Sequence, residues 1–233
     1  MKHFVALPLF AALFAACGDD SGSSSVESLK VGCKTETEDN CEYGELVDER
    51  DGQLYKTVKI GDQWWMAQNL NFETANTWCG GGSDTSEGDC SKYGRLYTWA
   101  ASKSVCPTGW HLPSKTEWET LIIAVGGRFI EGEIFEHEQF ASEMLKSTLG
   151  WHYSKGTDAF SFSALPAACR NAGRLPWGDC RNGGDDVYFW SSTEREINRA
   201  FFMHLYYNCG DYAMIEFSYK SYAFSVRCLK DVL

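Results

Sequence analysis

The stretch Cys106-Pro107-Thr108-Gly109-Trp110-His111-Leu112-Pro113-Ser114-Lys115-Thr116-Glu117-Trp118-Glu119 brings together a thiol, an imidazole and two carboxylates. Those are the groups from which nucleophilic and acid–base catalysis is assembled. Their spacing argues for architecture instead. Ser114-Lys115-Thr116-Glu117 is a capping box: the serine side chain accepts the backbone N–H three residues on, and the glutamate reaches back. Trp118, Leu121, Ile122 and Val125 then form a buried helical stripe that stops at Gly126-Gly127. Glu119 lies off that stripe and diverges from Glu117 around the helix. His111, in a proline-bounded turn between Trp110 and Leu112, reads as a satisfied structural histidine. No Gly-x-Ser-x-Gly turn occurs, and no catalytic residue is assigned.

A second constellation follows Cys169. Asn171, Arg174, Trp177, Asp179, Arg181, Asn182, Asp185 and Asp186 combine a flat aromatic face with amide, guanidinium and carboxylate groups. That mixture stacks on sugar C–H groups and pairs hydroxyls. A Cys169–Cys180 bridge would close the loop and meet part of its ordering cost before a ligand arrives. Tyr206 and Tyr207 extend the surface. These ten residues are the expected ligand-binding set. Asp185 and Asp186 are adjacent and point apart in extended chain, so no metal is assigned, and no cofactor.

The chain has ten cysteines and no close CxxC pair, which sets zinc aside. In an exported chain the default is disulfides. Short loops suggest Cys33–Cys41, Cys79–Cys90 and Cys169–Cys180. Cys106 with Cys228 would close a loop of about 120 residues, worth ~4–5 kcal/mol in the chain-entropy model. Cys209 is left over, read as a buried free thiol; an intermolecular link or a different pairing stays open.

Export is read from the first residues. Lys2 precedes an apolar run, Phe4 to Ala16, broken by Pro8. Leu13-Phe14-Ala15-Ala16-Cys17 resembles the lipobox of bacterial lipoproteins, with Cys17 as the acylated residue; the alternative is an ordinary signal peptide beside a chance cysteine. Several acyl chains would anchor the protein stably. Gly18-Asp19-Asp20-Ser21-Gly22-Ser23-Ser24-Ser25 is a flexible tether. The net charge of −11 argues against nucleic acid. The expected organisation is a signal peptide over 1–16, the lipidated cysteine and a linker with a small disulfide knot over 17–46, and one globular domain over 47–233.

Within that domain, Leu54–Ile60 and Trp64–Leu70 read as a hairpin around Gly61-Asp62-Gln63. Tyr97–Ser102 reads as a short helix and Glu138–Leu149 as a second long one. Phe160–Leu165, Tyr188–Ser192, Ala200–Tyr206 and Ala223–Leu229 read as strands. Strands enclosing helices imply an α+β class. Trp64, Trp65, Trp110, Trp118 and Trp190 read as core.

Three stretches resemble one family: Ile60–Leu70, Cys106–Ser114 with Glu117-Trp118, and Phe189-Trp190-Ser191-Ser192-Thr193-Glu194 with Phe224-Ser225-Val226-Arg227-Cys228. Over about residues 47 to 231 the chain is similar to the Fibrobacter succinogenes major paralogous domain, a family of exported bacterial proteins. The resemblance implies a C-type-lectin-like or sulfatase-modifying-factor-like fold, with a terminal-strand sheet, two helices and long stapled loops. It also implies that Cys106–Cys228 ties the stretch before the first long helix to the last strand. Formylglycine-generating enzymes of that group use a reactive thiol pair, but its serine and arginine context is not recognisable around Tyr207-Asn208-Cys209-Gly210-Asp211. The His-x3-His-x-Glu iron motif and the calcium-lectin motifs Glu-Pro-Asn, Gln-Pro-Asp and Trp-Asn-Asp are absent from the sequence. The expectation is a non-enzymatic, lipid-anchored binding protein of the cell envelope, an outer-membrane lipoprotein recognising carbohydrate, with plant polysaccharide as the candidate. Surface protein–protein interaction or a structural role is the alternative; an oxidase-type enzyme is the second.

Overall fold

The alternation Leu54-Tyr55-Lys56-Thr57-Val58-Lys59-Ile60 buries Tyr55 and Thr57 on one face; on the other, Leu54 and Lys56 are exposed while Val58 and Ile60 are buried. The structure, a computed structural model, describes residues 32–82, 88–127, 136–138, 141–153, 155–170, 186–206 and 212–232. Its first strand, β1 (Tyr43–Val47), pairs along its whole length with β2 (Leu54–Ile60). Gly61, at φ 60°, opens the two-residue turn into β3 (Gln63–Met66); a glycine is favoured there because a Cβ would be strained in the left-handed region. Then come β4 (Thr77–Cys79), α1 (Cys90–Tyr93), β5 (Arg95–Thr98), α2 (Trp99–Ser102) and β6 (Trp110–His111). The second half contains α3 (Lys115–Ala124), β7 (Glu136–Glu138), α4 (Ala141–Leu145), β8 (Val187–Glu196), β9 (Arg199–Leu205), β10 (Ala213–Tyr219), β11 (Ala223–Ser225) and β12 (Leu229–Lys230).

These strands form two sheets, β1-β2-β3-β12-β6 and β4-β5-β11-β8-β9-β10-β7. The expected α+β body, with two helices on a terminal-strand sheet, is therefore corrected: the described residues are mostly β. Only α3, with ten residues, exceeds five. The expected helix over Glu138–Leu149 shrinks to α4, because Lys146 leaves it to form a β-bridge with Ala164. Tyr97 and Thr98 belong to β5, and helix begins only at Trp99. The expected strand Phe160–Leu165 does not form. Its alternation does bury Phe160 and Phe162, but Ser161 and Ser163 sit at φ 52° and 54°. The Asp158 carboxylate accepts hydrogen bonds from the Ser163 N–H (2.7 Å) and hydroxyl (2.8 Å), which turns the chain.

α3 is built as its sequence requires. Ser114 and Glu117 complete the capping box, and Gly126, at φ 98°, ends the helix. The Gly127 N–H then donates to the Ile122 carbonyl (2.8 Å), closing a Schellman-type end. Trp118 is fully buried, with its ring centroid 4.6 Å from Trp65 and 5.6 Å from Phe189. Its indole N–H donates to the Trp190 carbonyl (3.3 Å), so the core tryptophan also satisfies its polar atom.

The last strands join the two sheets. β11 belongs to one and β12 to the other, so Val226–Cys228 makes the crossing. Cys228 is bonded to Cys106 there, and Arg227 is buried beside it. Cys33–Cys41 and Cys79–Cys90 close two short loops. Cys169 is also disulfide-bonded.

Candidate functional site

A cleft of about 950 Å³ opens beside β1 and β2, bounded by α1, the segment after β3 and the turn at Ser161–Leu165. Tyr43 stands in its lining with half of its surface exposed (49%). Its hydroxyl donates to Asp39 Oδ2 (2.7 Å) and shares a 2.7 Å bond with Ser161 Oγ. The hydroxyl is thus fixed while half of the residue stays exposed. Burial raises the phenol pKa; the Ser161 hydrogen bond opposes this and the Asp39 carboxylate adds to it, so the hydroxyl remains a donor. Tyr55, deeper in the cleft, is pushed up to about 12 by burial, and its oxygen accepts the Asn71 N–H (3.0 Å).

Arg227 forms part of the same wall and is 1% exposed. Its guanidinium donates to Asn69 Oδ1 (2.9 Å), to the Ser163 carbonyl (2.9 Å) and, closely, to the Phe162 carbonyl. It lies 4.2 Å from the Phe162 ring centroid and 5.3 Å from that of Phe189. Burial pulls its pKa down to about 9, with Asp158 opposing, so the cation persists at neutral pH. No carboxylate contacts it among the described residues. Arg227 therefore holds Phe162 and Ser163 from one side while Asp158 holds Ser163 from the other. Three non-glycine residues here, Asp158, Ser161 and Ser163, occupy the left-handed region. Such strain costs about 1–3 kcal/mol per residue and persists only where its surroundings over-determine it.

The ligand-binding set expected from the sequence falls elsewhere. Asn171, Arg174, Trp177, Asp179, Arg181, Asn182, Asp185 and Tyr207 lie outside the described residues, as do Cys17, Cys180 and Cys209. Asp186 and Tyr206 are described, and both are engaged around the buried His204. Asp186 Oδ1 is 3.3 Å from His204 Nε2, and Glu216 Oε2 is 3.0 Å from Nδ1. The imidazole stacks on Tyr188 at 4.2 Å, and Tyr206 meets it edge-on at 5.2 Å. The two carboxylates address opposite ring nitrogens and do not converge. No group of three His, Cys, Asp or Glu side chains is placed to hold a metal ion among the described residues.

His111 has a similar arrangement nearer the surface. Nδ1 is 2.6 Å from Asp231 Oδ1 and Nε2 is 2.9 Å from Glu117 Oε1. The other Glu117 oxygen accepts the Ser114 N–H (2.7 Å). One carboxylate thus caps α3 and clamps the histidine, joining helix, β6 and the C-terminal segment. Glu119 is engaged separately, by Lys115.

Both histidines predict a pH dependence. Burial lowers each pKa, but the flanking carboxylates outweigh it and the net direction is upward. A raised folded pKa gives stability that is fully present below the ordinary histidine value, about 6.5, and is lost as pH rises through the folded value. Unfolding free energy should therefore decline with rising pH above that range. His204→Gln should remove more of the decline than His111→Gln, because His111 is partly solvated; urea titrations across pH 5.5–8.5 measure it.

Tyr43, Lys56 and Arg227 in the cleft were not legible as site residues. Tyr43 falls in a segment whose composition reads as linker. Arg227 did leave a signal: a cation inside the apolar run Phe224-Ser225-Val226-Arg227-Cys228-Leu229.

The chain matches the model of the Fibrobacter succinogenes major domain over residues 58–230, and it belongs to that family. No curated protein matches it. No solved structure matches either, so the lectin-like fold group implied by the resemblance gains no support.

Proposed function

We propose that this is an exported, lipid-anchored and non-catalytic binding protein of the cell envelope, whose cleft takes carbohydrate. The observation that carries the reading is the Tyr43 ring, pinned through its hydroxyl by Asp39 and Ser161 and half-exposed in a polar cleft with a strained, fixed wall. A fixed aromatic side chain with amide side chains around it, such as Gln68 and Asn71, suits sugar C–H stacking and hydroxyl pairing at low ordering cost. A non-catalytic role is supported by His111 and His204, each of which has both ring nitrogens occupied by carboxylates. Acylation at Cys17 would anchor the domain to a membrane, and mass spectrometry of the mature N-terminus checks the acylation.

Binding to an array of plant and bacterial glycans tests the cleft. Tyr43→Ala should weaken the best glycan about tenfold, the scale of one aromatic contact, with little change in the thermal midpoint. No glycan bound by the intact protein would reject the reading. A second reading, protein binding, is favoured by the exposed apolar side chains of Val47 (56%) and Leu54 (55%) beside the edge strand β1, since an unpaired edge accepts another strand. In that case crosslinking on cells would capture a protein through β1.

A further inference from the structure

Four cationic side chains, Lys34, Lys56, Lys92 and Arg227, line the cleft against two acidic ones, Asp39 and Glu45. That excess of two positive charges belongs to a chain of net charge −11. Asp158, which is not among the lining residues, pairs with Lys34 and reduces the excess to one positive charge. Asp39 is occupied by the Tyr43 hydroxyl and the Cys41 N–H. Glu45 stands opposite Lys56 in the β1–β2 ladder, yet no ion pair closes between them. Lys34 is matched by Asp158, at 3.6 Å. Neither Lys56 nor Lys92 closes an ion pair with a carboxylate among the described residues, although the Asp89 carboxylate acts on Lys92 at longer range; the Lys92 ammonium rests over the Tyr93 ring at 4.7 Å. Both are exposed, so neither is held by burial. Behind them the Arg227 cation touches only neutral acceptors and phenyl faces.

A cleft with low-dielectric walls and a buried cation focuses positive potential toward its opening. Such a site attracts anions and repels cations. Resting on the carbohydrate reading above, we infer that the cleft takes an anionic polysaccharide, with the sugar ring on Tyr43 and its acidic group at Lys56 and Lys92. Uronate carboxylates and sulfate esters share this chemistry. An acidic peptide is the less favoured ligand, because it makes no use of the half-exposed Tyr43 side chain.

Affinity electrophoresis of the intact protein separates the cases. The probes are polygalacturonate and its methyl ester, dextran sulfate and dextran, and poly-glutamate. Retention is expected on polygalacturonate or dextran sulfate and not on the matching neutral polymer. The one retained identifies the acid group as carboxylate or sulfate. Lys56→Gln/Lys92→Gln should weaken it about tenfold, as expected for two exposed ionic contacts, and added salt should do the same. Both substitutions are on exposed side chains, and an unchanged thermal midpoint confirms the fold. Equal retention on charged and neutral polymers overturns this inference and leaves the carbohydrate reading intact. Retention on poly-glutamate as strong as on either polysaccharide, insensitive to Tyr43→Ala, overturns it in favour of a peptide. No retention on any polysaccharide removes both.

Discussion

Replacing Cys106 and Cys228 together by serine should lower the unfolding free energy by about 5 kcal/mol in the chain-entropy account. The bridge spans 122 residues of sequence, whereas Cys33–Cys41 spans 8 and Cys79–Cys90 spans 11. The entropy removed from the unfolded chain grows with the logarithm of loop length, so each short bridge contributes about 2.5 kcal/mol. The location reinforces the length. Cys228 lies on the crossing between the sheets, and Cys106 lies just before β6, which pairs with β12. Opening the bridge frees both partners of that ladder from their covalent tie. A loss of about 5 kcal/mol approaches the whole stability of an ordinary domain, so the double variant should be marginally folded at 37 °C. Denaturant titrations of the three double-serine variants, without reductant, measure the ranking. Equal losses for long and short loops would contradict the entropic explanation.

The sequence was most informative where one local rule decided the outcome. The capping box and apolar stripe located α3, and alternation located β2, because burial and backbone period agreed there. It was least informative where tertiary contacts overrode the pattern. Phe160–Leu165 has the period of a strand, but the carbonyls of Phe162 and Ser163 are taken by Arg227, distant in sequence, and its shape is imposed by Asp158. β4 and β5 are three and four residues long, too short for periodicity to register, and their stability comes from neighbours. The α+β expectation failed partly for this reason; β1 and β10, five and seven residues long, were missed although they are long enough to alternate. The cleft was hidden for a related one. Tyr43, Lys56, Lys92 and Arg227 are spread over most of the chain, and only the sheet register and the crossing bring them together. Asp186 and Tyr206 carry ligand-like chemistry in the sequence, yet they pack around His204.

Arg227→Met should destabilise the protein by about 3–5 kcal/mol, although methionine is the more apolar residue at a buried position. Methionine would keep part of the packing on Phe162 and Phe189 and would remove an unfavourably buried cation, whose cost is visible in the pKa pushed down to about 9. Those gains are outweighed. Asn69 Oδ1 and the carbonyls of Phe162 and Ser163 would lose their donor inside the protein, at about 1–3 kcal/mol each. The strained turn would also lose one of its two restraints, leaving Asp158 alone to hold Ser163 in the left-handed region. The consequence is local as well as global. Amide exchange in residues 158–165 should accelerate more than in α3, because α3 retains its cap and its Trp118 packing. Ser161 would then no longer be fixed against the Tyr43 hydroxyl, so ligand affinity should fall even under conditions where the variant remains folded. Arg227→Lys restores the charge but not the fork that reaches three acceptors at once, and should recover only part of the loss. A global loss with uniform exchange, or full recovery by lysine, would mean that charge rather than the forked restraint of the turn is what Arg227 supplies.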